Sequence, residues 1–222
     1  MMMNLFSVFD PTSYFGFSLN WMVMMLIFIF IPIKYYLING NMFMFFIEIF
    51  MKIYSLFKSV SIPNYMAMSF MCVMMFIYLA FSNLFGLFPF IFTSTAHPFM
   101  TLGIGFIMWY SFFLMGWFMN FKMSAAHLVP EGSPMGLAPL MVIIESISHL
   151  IRPFTLSIRL AANMMAGHLI IGLISSISGL GILFFGSSIF LQVILLILEF
   201  GVAIIQGFVF SILLLLYALE YY

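Results

Sequence analysis

The fold class predicted by this sequence is an all-α integral membrane protein, and three observations predict it. Of 222 residues, 66% are hydrophobic and 5% charged, with a mean hydropathy of +1.27, whereas a soluble surface needs about a quarter of its residues charged. Apolar runs reach or exceed the about 20 residues that a helix needs to cross a hydrocarbon core about 30 Å thick. Of the few ionisable residues inside those runs, Glu145, Arg152 and Arg159 share one helical face. The expected architecture is three transmembrane helices, one interfacial amphipathic helix and a long tilted two-helix hairpin, in a single membrane domain over residues 1–222.

Taken in order, the first span covers 17–37, its charge-free part running from Phe17 to Ile33. Met1 to Asp10 before it has no basic n-region, and no small-residue cleavage site follows the span, so neither a secretory signal nor an Arg-rich transit peptide is expected. Residues 41–62 form a helix with a polar stripe: at 100° per residue Asn41, Glu48, Lys52, Ser55 and Ser59 fall within about 60° of one another. Such a helix is expected in the interface plane, its Glu48 and Lys52 forming a solvated i,i+4 pair. Residues 66–92 and 98–121 contain no charge and are the second and third spans. Residues 135–178 and 181–222 are apolar stretches of over 40 residues, about 60 Å if helical, so they must be broken or strongly tilted. Gly179, Gly181 and Gly186 mark the turn between them.

Six basic and six acidic residues leave no net charge, hence no electrostatic case for nucleic acid or an anionic lipid surface. The single Cys72 packs as a small hydrophobe and excludes an internal disulfide or a cysteine metal cage. Haem is not expected, because His97 and His127 lie in loops while His149 and His168 are too far apart on one helix to clamp one iron. No cofactor is expected. The 23 Met and 31 Phe exceed what packing requires and fit an AT-rich genome in which extra codons read as Met, as in animal mitochondria. Lys34, Lys52 and Lys58 lie between the first two spans and Lys122 follows the third, while Thr93 to His97 has no Lys or Arg. By the positive-inside rule the amino terminus is outside, and the 34–62 and 122–134 segments are inside.

The fourth stretch carries the chemistry. Relative to Arg159, the positions Glu145, Ser148, Arg152, Thr155 and Asn163 project within about 40° on an ideal helix, a polar face five turns long. Ionisable groups there cost roughly 2.5 to 3.5 kcal/mol each on the translocon scale and mark function by default. A polar seam gluing helices together is the structural alternative; it accounts for Ser148 and Thr155 but not for an arginine with no acidic partner on its helix after Glu145. Pro153 can kink the helix and blur the phase before it.

The run Ser157-Ile158-Arg159-Leu160-Ala161-Ala162-Asn163-Met164-Met165-Ala166-Gly167-His168-Leu169, preceded by Ile144 to Ser148 and Ile151-Arg152-Pro153, resembles the signature of the subunit a family of F-type ATP synthases, in its mitochondrial form. The resemblance extends over Pro130 to Tyr217, and Asn83-Leu84-Phe85-Gly86-Leu87 also fits. It implies a static proton path beside a rotating ring of c subunits, with other membrane and peripheral-stalk subunits and membrane lipid as further partners, in the mitochondrial inner membrane. The family's essential arginine falls on Arg159, its partner amide on Asn163, the inner-side acid on Glu145, the outer-side pair on His168 and Glu199, and the glutamine near the arginine on Gln206. Ser148, Arg152 and Tyr217 stand as supporting residues. A non-catalytic channel subunit is implied; a redox-linked proton pump subunit and a non-transporting scaffold of a respiratory complex remain the alternatives.

The glycine turn offers a test independent of the family. An antiparallel hairpin turning near residue 183 places residues level when their numbers sum to about 366, which holds for Arg159 with Gln206 and for His168 with Glu199. Phase agrees less well, since His168 projects about 180° from Arg159. Tilt, a helix bulge or two opposed contact surfaces would each account for it.

Overall fold

The computed structural model describes residues 5–12, 18–30, 40–61, 66–88, 91–119, 121–129, 135–180 and 182–220. Its α-helices are α1 Val23–Phe30, α2 Asn41–Val60, α3 Met66–Gly86, α4 Pro98–Met119, α5 Phe121–His127, α6 Ala138–Ile177 and α7 Ile182–Glu220, with short 3₁₀ turns at Leu5–Phe9, Leu19–Met22, Ser94–Ala96, Met135–Leu137 and Ser178–Leu180. Among the described residues α3, α4, α6 and α7 are long and apolar enough to cross a membrane. Of the first expected span, 3₁₀ and α1 turns cover 19–30, and 31–37 lies outside the described residues.

The structure departs from the expected segments in three places, the first being that Phe121–His127, with His127 expected in a loop, is helical. α3 stops at Gly86, short of residue 92, and the chain turns through Ser94–Ala96 before α4. The hairpin turn comes early: α7 resumes at Ile182, so Gly186 is helical. In lipid every backbone amide must be satisfied internally, which outweighs the cost of a glycine inside a helix. α6 runs unbroken through the buried Pro153. Pro153 lacks the N–H that would bond to the His149 carbonyl, and one turn on Ser157 Oγ donates to the Pro153 carbonyl at 2.8 Å.

α7 sits between α3 and α6. On one side Asn83 Nδ2 donates to the Ala203 carbonyl at 3.3 Å, and one turn further along α7 Gly207 meets Ala80 so closely that a Cβ there would lie 3.3 Å from the Ala80 nitrogen. Falling numbers on α3 meet rising numbers on α7, so the two run antiparallel. α4 packs on α6 where a Cβ at Gly105 would lie 3.4 Å from Ser157 Cβ and 3.6 Å from the Phe210 ring. Lipid tails are as apolar as the side chains, so close approach at small residues and a few interhelical bonds hold these helices, the latter about 0.6 kcal/mol each.

α2 turns its exposed Asn41, Glu48, Lys52, Ser55 and Ser59 away from the bundle. Its opposite face buries Phe57, whose ring stands edge-on to Phe208 at 5.9 Å and tilted to Phe76 at 6.5 Å. The core spreads from there through Cys72, Phe76 and Leu79 of α3 to Leu156 and Leu160 of α6 and Phe210 to Ala218 of α7.

Candidate functional site

The polar face of α6 faces out of the chain. Arg159 and Asn163 are exposed, with Ala162 and Ala166 exposed beside them, so a partner helix could approach closely there. Among the described residues Arg159 has no ion-pair or hydrogen-bond partner. Ser148 and Thr155 do not bridge helices: their hydroxyls donate to carbonyls of their own helix, at Glu145 (2.8 Å) and Arg152 (3.0 Å). That removes the evidence the two residues lent to a seam.

Further along the same face, Glu145 Oε1 lies 3.4 Å from His149 Nε2 and 3.9 Å from Arg152 Nη2. The Arg152 guanidinium also stands 5.2 Å from the centroid of the Tyr217 ring, a cation–π contact that ties α6 to α7. Glu145 and Arg152 remain about a third exposed, at 35% and 30%, so their attraction is screened. His149 was not expected here, although the i,i+4 spacing from Glu145 was a readable signal.

His168 occupies the opposite side of α6 from Arg159, and Glu199 reaches in from α7 to its chain neighbour Gly167. Glu199 packs on Gly167, whose missing side chain makes the room: a Cβ there would run into the carboxylate. His168, next in the chain, reaches the backbone of Gly86 at the end of α3 and takes the edge of Phe9 at 6.5 Å. His168 Nε2 and Glu199 Oε2 are both buried without a hydrogen-bond partner. Hence the level relation and the phase mismatch both have a geometric answer. Residues 167 and 199 meet, as the level relation requires, α6 is one continuous helix without a bulge, and His168 turns to Gly86 and Phe9 while Arg159 is exposed. Gln206 is half-buried on α7 and makes no hydrogen bond to Arg159.

Contacts between distant segments were out of reach of sequence reasoning. Trp21 lies 5.4 Å from both Phe92 and His97, and His97 lies 5.2 Å from Phe92. Near Phe9, Asp10 Oδ1 accepts bonds from Thr12 Oγ1 (2.7 Å) and Thr12 N (3.1 Å), which hold its carboxyl below the usual range.

Comparison with known proteins identifies the family. A profile of the ATP synthase A chain family matches residues 15–218. The chain is 43% identical over 224 residues to ATP synthase subunit a of Aedes aegypti, 42% over 224 residues to that of Anopheles gambiae and 41% over 222 residues to that of Drosophila melanogaster, covering 99% of both chains each time. With a profile spanning nearly the whole chain and end-to-end identity above 40%, the protein belongs to the ATP synthase subunit a family.

Proposed function

We propose that the chain is the static proton-translocating subunit of the ATP synthase membrane sector in the mitochondrial inner membrane, with two offset half-paths on either side of Arg159. Family membership makes it a non-catalytic membrane subunit of that complex. The observation that carries the finer reading is Arg159 itself: a cation on an apolar helix, exposed, flanked by alanines and unpartnered among the described residues. Such a charge is costly in lipid unless something outside the chain meets it. A rotor helix bearing a mid-membrane carboxylate fits the charge, and the small Ala162 and Ala166 fit its close approach.

A guanidinium does not release its proton in a protein, so Arg159 acts as fixed charge. It favours the ionised rotor carboxylate as it passes and blocks a direct hop of protons between the half-paths. Asn163, one turn on, offers the same face an amide. His168 and Glu199 take up protons from the outer side, since an imidazole and a carboxylate beside each other can exchange one. Glu145, about 21 Å along the axis from Arg159, delivers them to the inner side. His149 and Arg152 position its carboxylate, and Tyr217 holds Arg152. Gln206, half-buried on α7, is level with Arg159 by the hairpin arithmetic. A scaffold would need no unmatched cation on its outer face.

Two measurements test the reading. Arg159→Gln is expected to abolish coupled ATP synthesis while the complex still assembles, and wild-type synthesis in that variant would sink the proposal. A cysteine at Ala162 is expected to cross-link to a small carboxylate-bearing rotor subunit.

A further inference from the structure

Residues 92–96 of the connection between α3 and α4 are buried, although loops ordinarily run over surfaces because a buried one strands polar groups. Thr93, Ser94 and Thr95 are 2%, 3% and 4% exposed. Part of their backbone is satisfied, Ala96 N bonding to Thr93 O and His97 N to Ser94 O, each at 3.3 Å. The side chains are not. Thr93 Oγ1, Thr95 Oγ1 and His97 Nε2 are buried without a partner, as are Asn83 Oδ1, His168 Nε2 and Glu199 Oε2.

Three of these orphans, on Thr93, His168 and Asn83, gather around Gly86. A Cβ on Gly86 would lie 3.2 Å from Thr93 Cγ2, and His168 reaches the backbone of that same Gly86. The Ser94–Ala96 turn packs directly on α6. Asn83, one turn before Gly86, is bonded to Ala203, one turn after Glu199. A single unsatisfied hydroxyl is a defect; several in one corner are the signature of internal water, which typically makes about three bonds to such groups.

We propose that Thr93 and Thr95, with His97 beyond them, hold the ordered water through which protons reach His168 and Glu199 from the outer side. The inference rests on the reading of that pair as the point of uptake and adds the residues that supply it. Each hydroxyl accepts a hydrogen bond from one water and donates its own hydrogen to the next. A proton therefore passes along the chain of bonds, and each hydroxyl ends as it began. Aromatic rings confine the water: Trp21 and Phe92 flank His97, and Phe9 covers His168. Such a passage suits a proton better than a hydrated ion.

The test uses the assembled synthase in inner-membrane vesicles, with passive proton flux read after the catalytic head is stripped. Thr93→Val with Thr95→Val keeps the shape and removes both hydroxyls, and is expected to lower the flux about tenfold, the rate equivalent of one ordinary hydrogen bond. Thr93→Ser with Thr95→Ser should keep most of the flux. Wild-type flux in the valine pair, or equal loss in the serine pair, overturns the proposal. Should the valine pair fail to assemble, Thr95→Cys in a Cys72→Ala background is exposed to silver ion from the outer side. Inhibition supports a water-filled passage, and a thiol that never reacts in the assembled complex overturns it. Arg159→Gln is measured in parallel: preserved coupling there defeats the reading of the subunit, whereas loss of coupling there with an indifferent threonine pair defeats this inference alone.

Discussion

Gly167 is the residue on which the proposed outer-side pair depends. The Glu199 carboxylate occupies the space its side chain would fill. That carboxylate ends a flexible side chain, so Gly167→Ala should be tolerated by the fold while moving Glu199 away from His168. The expected result is a synthase assembled at normal levels with proton-driven ATP synthesis reduced severalfold; assembly and synthesis falling together would assign Gly167 to packing instead. The pair can also be exchanged. His168→Glu with Glu199→His should retain more synthesis than either single change, because each single change leaves two like groups side by side. A double variant no better than both singles would separate the two residues functionally.

At the scale of elements, the α3–α7 contact bears the most packing. Gly207 differs from Gly167 in what it meets: the obstacle is the Ala80 backbone, which cannot rotate away. Gly207→Ala should therefore push α3 from α7, strain the Asn83–Ala203 bond and cost about 1 to 3 kcal/mol, as overpacking does. Detergent-extracted complex carrying this variant is expected to lose the subunit at a lower temperature than one carrying Gly167→Ala. The reverse order would mean that the interface yields more easily than its backbone contact implies. Helix α2 owes its place to one face, since Phe57 reaches both Phe76 and Phe208 while Glu48 and Lys52 stay exposed.

For the whole molecule, side-chain contacts sort the ends of the bundle. Phe9 with His168 and Trp21 with His97 bring the amino-terminal segment, the α3–α4 connection and the outer-side pair to one end. α4 runs away from that end and meets Ser157 at Gly105, so Lys122, beyond its far end, falls towards Glu145. On the proposed reading, and with the lysine asymmetry, Lys122 and Glu145 are expected on the matrix side and the amino terminus towards the intermembrane space. Protease added to the outer face of intact mitoplasts should leave the bond after Lys122 uncut, and opening the matrix side should allow cleavage; cutting from the outer face would invert the topology.

Composition and periodicity alone determined that this chain is helical and lives in a bilayer. They also marked which residues of α6 share a face with Arg159, because a 3.6-residue repeat is a local property that a linear string preserves. The level relation of the hairpin was readable for the same reason: antiparallel helices joined by a short turn convert residue number into height. Tertiary structure decided what no local pattern encodes. It brought Gly86 and Phe9 to His168 and Thr93 to Gly86, seated Glu199 on Gly167, and left Ser148 and Thr155 bonded to their own helix rather than to a neighbour. Those contacts join segments tens of residues apart, and they follow from where small side chains let two backbones come close, which only the packed arrangement of all the helices settles.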